Sequence, residues 1–192
     1  GGIQWDPSHL FFSGEIWYHR NIGRGGGPGT TEGGCGMQVI CFGDSNTYGY
    51  DPRSYLGRRY GPRVRWADLL GVETGWTVRN WGANGRTIPA AMPPLPPDTD
   101  LLVVMLGTND LLQGRGPEDA AGRLERLLTG AGLPRDHLLL IAPPPLARGT
   151  WVQDGALIDG SRAFARRCRA LAERLGIPFA DAGAWDISLA YD

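Results

Sequence analysis

The sequence predicts an α/β protein: a three-layer α/β/α sandwich, doubly wound on a five-stranded parallel sheet. Three observations predict it. Five short apolar runs each end at glycine or proline. Stretches with helical hydrophobic spacing fill the gaps between them. The length of 192 residues, with 42% hydrophobic and 20% charged residues, suits one domain with a buried core.

The five runs are Met37 to Phe42 (MQVICF, ending at Gly43), Trp76 to Trp81 (WTVRNW, ending at Gly82), Leu101 to Leu106 (LLVVML, ending at Gly107), Leu138 to Ala142 (LLLIA, ending in Pro143-Pro144-Pro145) and Ile177 to Ala182 (IPFADA, ending at Gly183). Runs that are apolar at every position are strands buried on both faces, which is the signature of a parallel sheet beneath helices. Cys41 is expected to be buried within the first of them. One helix is predicted from Pro117, with acids in its first turn, to a stop at Gly130; Ala121, Leu124, Leu127 and Leu128 form its apolar face. A second is predicted from Gly160 to Leu175, stopped by Gly176, with Phe164, Cys168, Leu171 and Leu175 inward. A third is predicted over Val64 to Leu70. Trp66, Trp76 and Trp81 are expected in the core or at oligomer contacts.

The first 36 residues differ. Eight of the 14 residues from Gly23 to Gly36 are glycine, which fits a flexible linker. It separates residues 1–22, rich in Trp, Phe and Ile, from an α/β core over residues 37–192.

Composition excludes several classes of chemistry. All 19 basic residues are arginine, against 20 acids, for a net charge of −1. With no lysine there is no phosphate-binding P-loop and no Schiff-base or Ser–Lys mechanism. The charge balance gives no reason to expect nucleic acid or anionic membrane as a partner, and no apolar run is long enough to span a bilayer. Cys35, Cys41 and Cys168 lack metal-binding spacing, so no metal site is expected. The amino-terminal residues lack the order of a signal peptide, which leaves the cytoplasm as the default expectation.

Polar clusters follow the first three strands: Gly43-Asp44-Ser45-Asn46-Thr47, then Asn80-Trp81-Gly82-Ala83-Asn84-Gly85-Arg86-Thr87, then Gly107-Thr108-Asn109-Asp110. In doubly wound folds the site lies at these strand ends. A serine on a strand-to-helix turn can serve as a nucleophile, and its own N–H can face a developing oxyanion. A glycine N–H and an asparagine amide can add two further donors. Ser45, Gly85 and Asn109 therefore form a candidate nucleophile with its oxyanion hole. The blander alternatives are that Ser45 is a helix N-cap and Asn109 a turn cap. Asp44 is read as holding the turn, and Arg86 either steers substrate or pairs with an acid.

ICFGDSNTYGYDPRS resembles the first sequence block of the SGNH (GDSL) hydrolase family, NWGANGRT its second and VMLGTND its third. The resemblance covers Met37 to Asp192, and the nearest subgroup is the small bacterial arylesterase and acyltransferase-like members, which APPPLA after the fourth strand also fits. It implies a flavodoxin-like sandwich and ester hydrolysis through an acyl-enzyme, with a small ester as substrate and no cofactor. Ser45 would attack, and the N–H groups of Ser45 and Gly85 with the Asn109 amide would hold the oxyanion. A homo-oligomer is compatible with the subgroup by analogy alone.

The family also implies an Asp-x-x-His block followed by a helix, expected just where this sequence reaches Asp192; no histidine follows His137. His137 precedes a strand, at the end away from the site, and His19 is read as lying on a solvated or partly packed face. Asp6-Pro7-Ser8-His9 offers the missing spacing at the amino terminus. In one reading the chain is circularly permuted, His9 is the general base and Asp6 orients it. In the other, the first 36 residues are an appended tail and Asp192 takes the acid position. Asp6-Pro7 is by itself also an ordinary turn or helix start. Trp5 and Trp185 are candidates for lining an acyl or aryl pocket. Three functions follow: a serine esterase for acetyl, short-chain or aryl esters, a carbohydrate O-deacetylase, or an inactive domain of this fold that only binds a ligand.

Overall fold

The computed structural model describes residues 36–54, 56–149 and 152–185. Asp6, His9, His19, Trp5, Cys35, Asp192 and most of the Gly-rich stretch lie outside the described residues. Five strands, β1 (Gln38–Gly43), β2 (Thr77–Gly82), β3 (Leu101–Met105), β4 (Leu138–Ala142) and β5 (Phe179–Asp181), form one sheet in the order β2-β1-β3-β4-β5. Every neighbouring pair is parallel. The helices are α1 (Ser45–Tyr48), α2 (Trp66–Thr74), α3 (Thr108–Leu112), α4 (Pro117–Thr129) and α5 (Gly155–Leu175).

Alternation along the strands builds two cores. Ile40, Phe42, Leu102, Val104, Leu140 and Ala142 face Leu111 of α3, Leu124, Leu127 and Leu128 of α4, and Phe164, Cys168 and Leu171 of α5. Val39, Cys41, Leu101, Val103, Met105 and Ile141 point the other way, against Trp66 and Ala67 of α2. Both faces of β1 and β3 are therefore dry, which is why those runs carry no polar alternation. Strand β2 is an edge strand and is half-exposed along most of its length. The predicted sandwich is thus the observed one. Trp66 is buried, while Trp76 and Trp81 pack on the two cores from partly exposed positions. Among the described residues no helix is long and apolar enough to cross a membrane.

Several boundaries differ from the sequence reading, each for a local reason. Helix α5 begins at Gly155, not Gly160, because the Asp154 carboxylate caps it by accepting from the Ala156 N–H at 2.8 Å. Gly160 lies inside the helix, close to Pro117. Helix α2 runs from Trp66 to Thr74 rather than Val64 to Leu70, and ends at Gly75 with φ +71°. Strand β5 is shorter than Ile177 to Ala182: the Ile177 N–H still bonds the Ala172 carbonyl of α5, Pro178 has no N–H, and Asp181 opens a 3₁₀ turn by capping Gly183. On α4, Ala120 is fully buried and Ala121 only partly, a rotation of one residue from the expected apolar face.

Candidate active site

The sheet order reverses at β1: the chain steps from β1 to β2 on one side, then crosses to β3 on the other. Such a switch point opens a crevice at the carboxyl ends of the two strands that part there. The loops after β1, β2 and β3 carry the three polar clusters, and named hydrogen bonds tie them together.

The first loop is held by close packing. A Cβ on Gly43 would stand 1.9 Å from Thr47 Oγ1, and one on Gly82 would stand 2.0 Å from the Tyr48 nitrogen. Both glycines are required for α1 to lie against the ends of β1 and β2. Asn80 reinforces the contact: its amide donates to the Thr47 carbonyl at 2.7 Å and its oxygen accepts from the Gly82 N–H at 2.9 Å.

Asp44, not Ser45, is the N-cap of α1. Its carboxylate accepts from the Asn46 N–H at 2.9 Å. Asp44 is fully buried, and burial pushes its carboxyl up to about 6 against the pull of the Asn46 N–H and the Thr108 hydroxyl. It holds the turn from within. Ser45 is the first helical residue and is half-buried. Its N–H has no hydrogen-bond partner among the described residues, and neither has that of Gly85. Because α1 has only four residues, the free N–H itself, rather than a helix macrodipole, is what Ser45 offers an anion.

Gly85 is exposed, with φ +70°, in a turn closed by the Arg86 N–H on the Ala83 carbonyl at 3.2 Å. The Ala83 N–H donates in turn to the Gly43 carbonyl at 3.1 Å. Asn109, in the first turn of α3, donates from its side-chain amide to the Arg86 carbonyl at 3.1 Å, and the N-cap of α3 is Gly107. A long contact of 3.5 Å joins the Asn46 amide to the Thr108 hydroxyl. Ser45, Gly85 and Asn109 thus stand on loops bonded to one another. Arg86 neither pairs with a carboxylate among the described residues nor extends into solvent. Its guanidinium donates to the Gly43 and Trp81 carbonyls and lies over the Phe42 ring.

Asp110 was not singled out in the sequence, yet it anchors the second loop. Fully buried, it accepts from the Ile88 N–H at 2.8 Å, with Arg115 at 3.4 Å and Arg123 at 3.8 Å from its other oxygen. Arg123 also donates to the Ile88 carbonyl at 2.7 Å. Burial pushes the Asp110 carboxyl up, against the pull of the Ile88 N–H and the two arginines. The only sequence signal was an acid next to Asn109 at a strand end.

His137 closes a 3₁₀ turn at the amino end of β4, across the sheet from these loops. Trp185 packs against the core that holds Val39 and Cys41. Cys41 and Cys168 are buried, and burial raises both thiols. Among the described residues, no group of three His, Cys, Asp or Glu side chains could hold a metal ion.

Solved structures of known proteins share this fold. The native aryl esterase of M. smegmatis is 30% identical, with a TM-score of 0.64 over 77% of this chain and 85% of that one. A carbohydrate acetylesterase family member from Sinorhizobium meliloti is 26% identical, with a TM-score of 0.63 over 77% and 84%. Est24, a carbohydrate acetylesterase from the same organism, is 26% identical, with a TM-score of 0.62 over the same shares. No curated protein matches the chain. The sequence profile of the GDSL-like lipase/acylhydrolase family matches residues 41–192, most of the chain, which therefore belongs to that family and is a carboxylic ester hydrolase.

Proposed function

We propose that this protein hydrolyses small acyl esters, acetyl, short-chain or aryl, through an acyl-enzyme on Ser45. The observation that carries the reading is the pair of N–H groups, Ser45 and Gly85, that have no partner among the described residues and stand on loops bonded to the one that bears the Asn109 amide. Ser45 Oγ attacks the ester carbonyl carbon and its proton passes to His9. The N–H groups of Ser45 and Gly85 and the free hydrogen of the Asn109 amide receive the oxyanion. Collapse expels the alcohol, which takes the proton from His9. Water then repeats the sequence on the acyl-enzyme, releases the acid and restores Ser45. Asp6 orients His9 and stabilises its imidazolium. His9 is preferred because it stands in an Asp-x-x-His spacing, whereas His137 is at the opposite end of the sheet.

The likeness to the two Sinorhizobium meliloti acetylesterase structures favours carbohydrate O-deacetylation as a second reading of the same chemistry. Hydrolysis of p-nitrophenyl acetate by the intact chain, with Ser45→Ala and His9→Ala alongside and acetylated sugars as competing substrates, tests both. Loss of at least about 10³-fold in kcat in each variant is expected for members of one nucleophile–base unit. Activity retained in Ser45→Ala overturns the reading, and activity retained only in His9→Ala overturns the base assignment. Binding without turnover returns the inactive-domain reading. Faster release of acetate from sugars than from the aryl ester selects the deacetylase.

A further inference from the structure

We propose that Arg86 is the positioning residue of the oxyanion site, holding the loops of Ser45, Gly85 and Asn109 in one geometry through its guanidinium and its own backbone. The proposal rests on the ester-hydrolysis reading above.

Five contacts converge on this one residue. The guanidinium donates to the Gly43 carbonyl at 3.0 Å and to the Trp81 carbonyl, so it joins the carboxyl ends of β1 and β2. The Phe42 ring lies beneath it, 4.4 Å from guanidinium carbon to ring centroid, and fixes the plane of the fork. Its backbone N–H closes the turn that contains Gly85. Its carbonyl takes one hydrogen of the Asn109 amide at 3.1 Å, and the other has no acceptor among the described residues. Gly43, Gly85 and Asn109 are thereby fixed relative to one another by a single side chain and its peptide. Gly43 lies two residues before Ser45, so holding its carbonyl sets the peptide plane from which Asp44 and Ser45 depart.

The charge matters as well as the shape. No carboxylate among the described residues forms an ion pair with Arg86. The nearby acid, Asp44, is buried and caps the Asn46 N–H instead of pairing with the guanidinium. A cation bonded to carbonyls rather than to a carboxylate stands beside the Gly85 turn, where its field favours developing negative charge. Lysine could supply the charge but neither the planar fork nor the stacking, and glutamine could donate a hydrogen bond without the charge.

The test is steady-state kinetics on p-nitrophenyl acetate for Arg86→Lys, Arg86→Gln and Arg86→Ala. Arg79→Ala serves as a control, since that surface arginine of β2 pairs with Asp98. For variants that keep a wild-type far-UV spectrum, the expected result is a fall in kcat of about 30-fold to 10³-fold, with KM changed by less than about threefold. Added methylguanidinium should restore part of the kcat of Arg86→Ala and do nothing for Arg79→Ala. A raised KM with unchanged kcat makes Arg86 a substrate contact and overturns the proposal. Wild-type kcat in any folded Arg86 variant overturns it too, as does failure of all three to fold, which makes Arg86 a residue of the fold alone. Absence of rescue likewise removes the guanidinium from the mechanism. Turnover lost in Ser45→Ala but kept in the Arg86 variants separates failure of this proposal from failure of the esterase reading, which shows instead as an inactive wild type or an active Ser45→Ala.

Discussion

The side-chain amide of Asn109 donates to the backbone carbonyl of Arg86 at 3.1 Å, joining the loop after β3 to the loop after β2. An amide nitrogen carries two hydrogens. One is spent on holding the Gly85–Arg86 turn, and the other has no acceptor among the described residues, so under the proposed mechanism one residue both builds the site and serves it. Asn109→Ala should lose both actions and lower kcat by about 10²-fold to 10³-fold. Asn109→Asp should be worse, because a carboxylate oxygen would face the Arg86 carbonyl where a donor stood. Kinetics of both variants on p-nitrophenyl acetate check this; an Asn109→Asp enzyme as active as Asn109→Ala would mean that the Arg86 link does not matter.

Glycines at the strand ends should separate into two classes. At Gly43 an added methyl meets Thr47 Oγ1 at 1.9 Å and the Met105 carbonyl at 2.8 Å, so α1 must shift. Gly43→Ala should lose about 1–3 kcal/mol of stability, together with activity, because the displaced helix carries Ser45. At Gly85 the space is open, and the only cost is the left-handed backbone at φ +70°, about 1–2 kcal/mol. Gly85→Ala keeps its N–H. It should therefore retain much more activity than Gly43→Ala at comparable loss of stability, as read by thermal melting and kcat on the same preparations.

The parts of the molecule that were legible in the sequence are those set by local pattern. The runs over β1, β3 and β4 are apolar because both sheet faces are covered, and that can be seen without a partner. Ser45, Gly85 and Asn109 sit in short strings directly after strands, where a site on this fold must lie. Arg86 and Asp110 could not be read in the same way. The bond from Arg86 to the Gly43 carbonyl spans 43 positions, and that from Ile88 to Asp110 spans 22. A charged residue whose partner is a distant main-chain group leaves no periodic trace. The start of α5 was missed for the opposite reason: Asp154 is an ordinary cap, but Gly160 further along drew the boundary. In the helix that glycine costs some intrinsic propensity, which burial of Ser161, Phe164 and Cys168 outweighs.

Asp110 is predicted to act on stability before catalysis. Its carboxylate is buried, accepts from the Ile88 N–H and faces Arg115 and Arg123. Asp110→Ala strands the buried Ile88 N–H and leaves both arginines without that acid, a loss of about 1–3 kcal/mol. Asp110→Asn retains an acceptor for Ile88 but turns an NH₂ group toward two cations, so it should recover only part of the loss. Urea denaturation of the three proteins orders them as wild type, Asn, then Ala. A wild-type midpoint for Asp110→Ala would show that the network carries no net stability.

Asp44 makes stability depend on pH, and the direction follows from burial. Its carboxyl is raised from 3.8 to about 6 in the folded chain, chiefly because the charged form is desolvated. Between those two values the native state holds a proton that the unfolded state has released. The slope of unfolding free energy with pH is then negative. The contribution is fully present below pH 3.8 and is lost as pH rises through about 6. A shift of this size corresponds to roughly 3 kcal/mol. Asp44→Asn cannot ionise, and its side-chain oxygen can still accept from the Asn46 N–H. Its absolute stability is not the useful quantity, because the Asp44 oxygen that lacks a partner would be replaced by an equally unpartnered NH₂. The useful quantity is the difference between the two proteins as pH changes. Relative to wild type, Asp44→Asn should gain stability from pH 4 to pH 7 by about 2–3 kcal/mol, and gain nothing further above that range. Chemical denaturation at closely spaced pH values measures this difference directly, and parallel curves for the two proteins would mean that Asp44 does not titrate in that window.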